Sequence, residues 1–359
     1  MSSRRAVVLA ALATLVAPRI ARAAEPEAGR AEALRTALSA GNGVAAYAAR
    51  RGILFGTQTD AALLEANPPY AELVARECAL VAAETALRAD RMRPDPGSFD
   101  FRAAERLAAF ARDKGMTFRG TALLWHESVP GWVPATLTTR AAVAAEMLRE
   151  VTEPVRRFRG RADSWDVVTD AIDVAGGLPE GLRRSFWREK LGDGYIATAF
   201  AAARAADPAA TLVLRESGIE ADRPEHEAKR RALLGLLTNL RRDGVPVDAL
   251  GIEGRLSANA AFDPERFGRY LGGVRALGLK VLVTGLAVSD ERLPRDRAAR
   301  ETARAKAVAD FLSAVLLDAE VTTVVARFDA GFEREPVCSA VQAAFATASP
   351  LAPSRSEKN

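Results

Sequence analysis

Eight short β-rich runs alternate with longer amphipathic ones, and this alternation restricts the chain more than any other feature. The runs fall at 53–57, 80–83, 117–124, 164–168, 211–214, 249–252, 280–283 and 322–326. Most are continuously apolar, as parallel strands covered on both faces must be. The segments between them, near 61–76, 101–114, 138–157, 193–206, 226–242, 263–277 and 299–317, with a last near 336–346, carry helical periodicity. Their punctuation agrees: Asp263-Pro264 reads as an N-cap and first-turn proline, Lys114-Gly115 and Leu277-Gly278 as helix ends. Eight strand–helix units predict an α/β fold, a (β/α)8 TIM barrel in a single domain. A dinucleotide-binding sheet would need a G-x-G-x-x-G loop after the first strand, where the chain reads Gly56-Thr57-Gln58-Thr59-Asp60.

The ends are of different character. Arg4 and Arg5 precede an apolar run from Ala6 to Ala17, and Ala21-Arg22-Ala23 closes the pattern of an export signal over residues 1–23. At about a dozen residues the run is too short to span roughly 30 Å of hydrocarbon, so no membrane span is expected. The paired arginines suit the twin-arginine route, an ordinary secretory signal being the other option. The expected location is periplasmic or secreted. Residues 24–50 read as a helical lead-in, 51–348 as the barrel and 349–359 as a disordered tail. The signal segment holds four of the 50 Lys and Arg and none of the 46 Asp and Glu, so the remainder is formally neutral and a nucleic-acid partner is not expected. Cys78 and Cys338 are too few for a disulfide scaffold, and with His126 and His226 as the only histidines neither a metal site nor a cofactor is expected. A monomer is the expected state.

In such barrels the residues just past the strand ends build the site. Here they include Pro94-Asp95-Pro96-Gly97-Ser98-Phe99-Asp100-Phe101, then Arg119-Gly120-Thr121-Ala122-Leu123-Leu124-Trp125-His126 with Val129-Pro130-Gly131-Trp132, and Trp165-Asp166-Val167-Val168-Thr169-Asp170-Ala171. Further on come Asp248-Ala249-Leu250-Gly251-Ile252-Glu253-Gly254-Arg255-Leu256 and Val283-Thr284-Gly285-Leu286-Ala287-Val288. In this order the blocks resemble those of the glycoside hydrolase family 10 xylanases from about residue 52 to 330: P-x-x-G-x-F-x-F, R-G-H-T-L-V-W-H, W-D-V-V-N-E-A, D-A-I-G-x-Q-x-H-L and I-T-E-L-D-V. The resemblance implies a carbohydrate-active barrel whose family reaction is endo-1,4-β-xylan hydrolysis.

It also shows what is missing. A retaining glycosidase sets two carboxyl groups about 5 to 5.5 Å apart, one an acid and one a nucleophile. The family's acid/base position falls on Asp170 and its nucleophile position on Gly285, which has no side chain. The family's asparagine and lysine after strand two fall on Thr85 and Arg88, its first histidine on Thr121, and the asparagine before the acid on Thr169. Its Asn-Asp-Tyr after strand five becomes Arg215-Glu216-Ser217, its Gln and His after strand six become Glu253 and Arg255, its strand-seven aspartate becomes Ala287, and its tryptophan after strand eight becomes Arg327. Trp125, His126 and Trp132 are kept. Substitution across a set that acts as a unit implies an impaired or inactive enzyme.

Arg88, Arg215, Arg255 and Arg327 are expected to face Asp170, Glu216 and Glu253 at one mouth. They form either a compensated ion-pair network or a site for a carbohydrate or anionic small molecule held by guanidinium forks. A residual enzyme would use Asp170 with Glu253 or Glu216, at about 6.5 to 9.5 Å if inverting. A barrel kept only to bind another exported protein is the third possibility. Trp125 and Trp132 suit either sugar stacking or core packing, and His226 reads as a solvated residue on a charged helix face.

Overall fold

A computed structural model describes residues 25–328, apart from 292 and 294, and residues 337–347. The export signal and the tail lie outside the described residues. Eight parallel strands run in chain order around a closed barrel: β1 (Leu54–Thr59), β2 (Leu80–Ala83), β3 (Thr117–Gly120), β4 (Ala162–Thr169), β5 (Thr211–Glu216), β6 (Ala249–Ile252), β7 (Lys280–Ser289) and β8 (Val321–Ala326). Closure is made by β8 against β1, with Leu54 opposite Thr323 and Thr57 opposite Ala326. The single-domain (β/α)8 expectation is therefore met.

Side-chain alternation sorts the β3–β4 seam into an inside and an outside. Trp165 faces outward, fully buried against the Phe158 ring with centroids 6.3 Å apart. It is received by Gly120, where an added Cβ would lie 2.1 Å from the indole Cε3. The adjacent residues, Arg119 and Asp166, are fully buried and meet fork to carboxylate, Nη1 to Oδ2 at 2.9 Å and Nη2 to Oδ1. Below the strands the lead-in helix Glu25–Ala40 packs against β1, β3 and β4. Its Arg30 donates to Gly52 O at 3.1 Å and lies 3.5 Å from Asp163.

Three local departures from the expected elements have physical causes. The helix expected over 61–76 is two, Ala61–Ala66 and Pro68–Glu77, because the residue before a proline is pushed out of the helical region. Asn67 takes that place and caps the second helix by accepting from Tyr70 N at 3.1 Å. The strand expected over 117–124 stops at Gly120; Ala122 turns at φ +51° before Leu124–Trp125 resumes beside Val168 and Thr169. β7 is longer than expected and pairs with the extra segment Arg255–Ser257.

Candidate active site

The mouth is organised around Asp170, the first residue beyond β4. It holds a left-handed backbone at φ +54°, a conformation that a short polar side chain tolerates. Its Oδ1 accepts from the Ser217 amide at 3.0 Å and hydroxyl at 2.7 Å, and its Oδ2 from Trp125 Nε1 at 3.2 Å. Arg183 clamps the next loop, donating Nε to Asp170 O at 2.7 Å and Nη2 to Ile172 O at 3.2 Å. Burial pushes the Asp170 carboxyl up, but Ser217, Lys229 and Arg215 outweigh it and hold the group below the usual aspartate range.

Glu216, at the end of β5, is fully buried. Its Oε2 accepts from Ile172 N at 3.2 Å, and Lys229 Nζ lies 3.0 Å from Oε1 without directed hydrogen-bond geometry. Burial, opposed by Lys229 and reinforced by the negative Asp170, pushes this carboxyl up to about 8. Around neutrality Glu216 is therefore mostly protonated while Asp170 is ionised. The pair is set apart by environment, as two carboxyls in one site commonly are.

Glu253, just past β6, is committed elsewhere. Its Oε1 accepts from Arg215 Nη2 at 2.6 Å and from Arg255 Nη2 at 2.7 Å. Arg215 also lies 3.7 Å from Asp166, so charges alternate from the deep Arg119–Asp166 pair through Arg215 and Glu253 to the largely exposed Arg255. Burial opposes the charge on Arg215, but Glu253 and Asp166 more than restore it.

Gly285 sits where the register of β7 slips against β8: Val324 faces Val283, and Ala326 faces Leu286. A bulge of this kind re-aims side chains. An added Cβ at Gly285 would point between Gln58 Oε1 at 3.4 Å and Glu253 Cγ at 3.5 Å. No acidic residue of β7 takes its place, since the strand reads Lys280–Ser289 without a carboxylate.

The four arginines do not converge as expected. Arg215 and Arg255 meet on Glu253, whereas Arg88 chelates Asp90 at 3.1 and 3.2 Å and lies 5.1 Å from the centroid of the Trp125 ring. Arg327 donates to Glu84 at 2.6 Å and to Gln58 at 3.5 Å. Each side of the mouth supplies its own counter-charge, Asp90 for Arg88 and Glu84 for Arg327. Thr169 is buried, and its hydroxyl makes no hydrogen bond among the described residues. His126 stands edge-on to Trp125, 3.5 Å from Glu127, with its pKa lowered by burial and then by Arg183. Trp132 donates to Arg93 O at 3.1 Å, with that guanidinium 5.0 Å from its ring centroid. His226 is not simply solvated: its Nδ1 accepts from Ala221 N at 3.0 Å and so fastens the loop after β5.

Sequence reasoning missed Lys229 and Arg183. Lys229 sits in a run of charged residues on the helix Pro224–Arg242, where only the register of the packed helix decides which turns inward. Arg183 acts through backbone carbonyls and leaves no pattern in the chain. Among the described residues, no group of three or more His, Cys, Asp or Glu could hold a metal ion, and no helix is long and apolar enough to cross a membrane.

The chain is 30% identical over 287 residues to endo-1,4-beta-xylanase 5 of Pyricularia oryzae, spanning 79% of this chain and 67% of that enzyme. Native xylanase 10B from Thermotoga maritima superposes with a TM-score of 0.77 at 24% identity, covering 85% of this chain and 98% of the other. Xylanase 10B from Thermotoga petrophila in complex with xylobiose does so with a TM-score of 0.77 at 23% identity, covering 85% and 97%. The model of glycosyl hydrolase family 10 matches residues 43–327, and the chain belongs to that family.

Proposed function

We propose that this family 10 barrel has lost double-displacement hydrolysis and serves, outside the cytoplasm, to bind a carbohydrate or an anionic small molecule. One observation carries the reading: at the nucleophile position there is Gly285, and neither neighbouring carboxylate is disposed to replace it. Glu253 is shared by two guanidinium groups, and Glu216 is buried and largely protonated near neutrality. Without an ionised oxygen at the anomeric carbon no glycosyl-enzyme intermediate forms. Carbohydrate remains a candidate ligand because Trp125 is only partly buried beside Asp170 and because a relative of the same fold is known with xylobiose. The N-terminal Arg-Arg and apolar pattern supports export.

The test is reducing-end release from xylan by the purified chain. The expected outcome is none above a protein-free blank, together with saturable binding of xylobiose or D-glucuronate by calorimetry. Xylan cleavage that disappears in Asp170→Asn overturns the reading.

A further inference from the structure

Beside the barrel axis lies a cavity of about 540 Å³ between the loops after β5 and β6 and the helix Arg297–Asp318. Its volume is within the range of small-molecule sites. The walls are mainly apolar, with Leu256, Phe262, Phe311 and Ala307 among them, while Arg223, Arg255 and Lys306 supply positive charge.

The charge is not fully answered from within. Lys306 is paired with Asp310 at 2.5 Å. Arg223, which lines the cavity at an exposed position, takes part in no side-chain hydrogen bond or ion pair found among the described residues. Arg255 commits only Nη2, to Glu253. Glu220 borders the cavity but does not serve as counter-ion, since its oxygens accept from the amides of Ile219 and Gly254, each at 2.9 Å. An apolar chamber with two exposed guanidinium groups at its rim, one without a protein partner among the described residues and one using a single nitrogen, matches a ligand with a hydrophobic body and one carboxylate. It matches a sugar chain poorly, because alanine and phenylalanine walls offer few partners to hydroxyl groups.

We propose that this cavity is a binding site for a small amphipathic carboxylate, its aryl or alkyl body lying between Leu256, Phe262 and Phe311 and its carboxylate meeting Arg223 and Arg255. The assignment deepens the reading given above and rests on it for the preference for an anion. The site communicates with the axis through two shared residues: Ser217, which lines it, holds Asp170, and Arg255 holds Glu253.

Calorimetry on the full chain with 3-phenylpropionate, its uncharged amide and D-glucuronate tests this. The acid is expected to bind saturably. The amide should bind about tenfold more weakly or worse, and the acid should lose at least about tenfold in affinity for Arg223→Met/Arg255→Met, as loss of charge-assisted hydrogen bonds requires. Ala307→Phe, which fills the chamber from its partly buried helix wall, should abolish binding in a variant that keeps the circular dichroism of the parent. No binding of the acid, equal binding of the amide, or binding indifferent to both variants overturns the proposal. D-glucuronate binding that survives Ala307→Phe, alongside failure of 3-phenylpropionate, sinks the cavity and leaves the axial reading standing. Xylan cleavage sinks the axial reading and leaves a positive 3-phenylpropionate result intact.

Discussion

Two charged layers lie inside the barrel, and they are neutralised in different ways. In the deep layer Arg119 and Asp166 are both fully buried and meet through a two-point contact, with Arg119 Nε making no hydrogen bond among the described residues. At the mouth each carboxylate has a different kind of partner: Asp170 a hydroxyl, an amide and an indole; Glu216 an ammonium and an amide; Glu253 two guanidinium groups. The deep pair is tied to the layer above it by one contact, Arg215 lying 3.7 Å from Asp166. The outer arginines of the mouth are met locally: Arg88 donates to Asp90 and Arg327 to Glu84 rather than at the centre.

The contrast can be broken most forcefully in the deep layer. Asp166→Asn leaves Arg119 buried without a counter-charge and should destabilise the fold by about 3 to 5 kcal/mol, read from chemical denaturation; a loss below about 1 kcal/mol would mean that water or Arg215 rearrangement rescues the layer. At the mouth the effect should be smaller and dependent on pH. The folded-state pKa of Glu216 is raised from 4.5 to about 8, so its contribution is fully present below about pH 4.5 and is lost as pH rises through about 8. Glu216→Gln removes that loss: its stability relative to the parent should climb between pH 5 and pH 8 by on the order of 3 kcal/mol. A difference that is flat or falls across this window contradicts a protonated Glu216. The smallest effect is expected at the vacated position. Gly285 is not among the glycines with positive φ, and its added Cβ meets nothing closer than 3.4 Å. Gly285→Ala should therefore change stability by less than about 1 kcal/mol, toward stabilisation, and leave reducing-end release from xylan unchanged from the parent; a large loss of stability would mean that the bulge needs glycine.

How much of this was legible in the sequence follows from what each feature depends on. The barrel was readable because continuous apolar runs such as Val281, Leu282 and Val283 admit few other placements, and because helix ends announce themselves through residues such as Asp263, which accepts from Arg266 N at 3.0 Å. The break at Asn67-Pro68 could have been read from the proline. The positions of Asp170 and Gly285 followed from flanking blocks that resemble a known family. Partner choice was not legible: nothing in the order of residues says that Arg88 turns to Asp90, or that Lys229 and not Arg231 enters the barrel, for these depend on which faces of packed elements meet. Arg231 pairs with Glu227 at 3.0 Å on the exposed side of the same helix.

The left-handed turn at Asp170, φ +54°, bears on how this position should be interrogated. Alanine there would remove a carboxylate and also impose a torsional penalty of roughly 1 kcal/mol or more that asparagine escapes. A phenotype from the alanine exchange alone would thus confuse lost chemistry with a disturbed chain path, whereas agreement between asparagine and glycine exchanges would isolate the carboxylate itself.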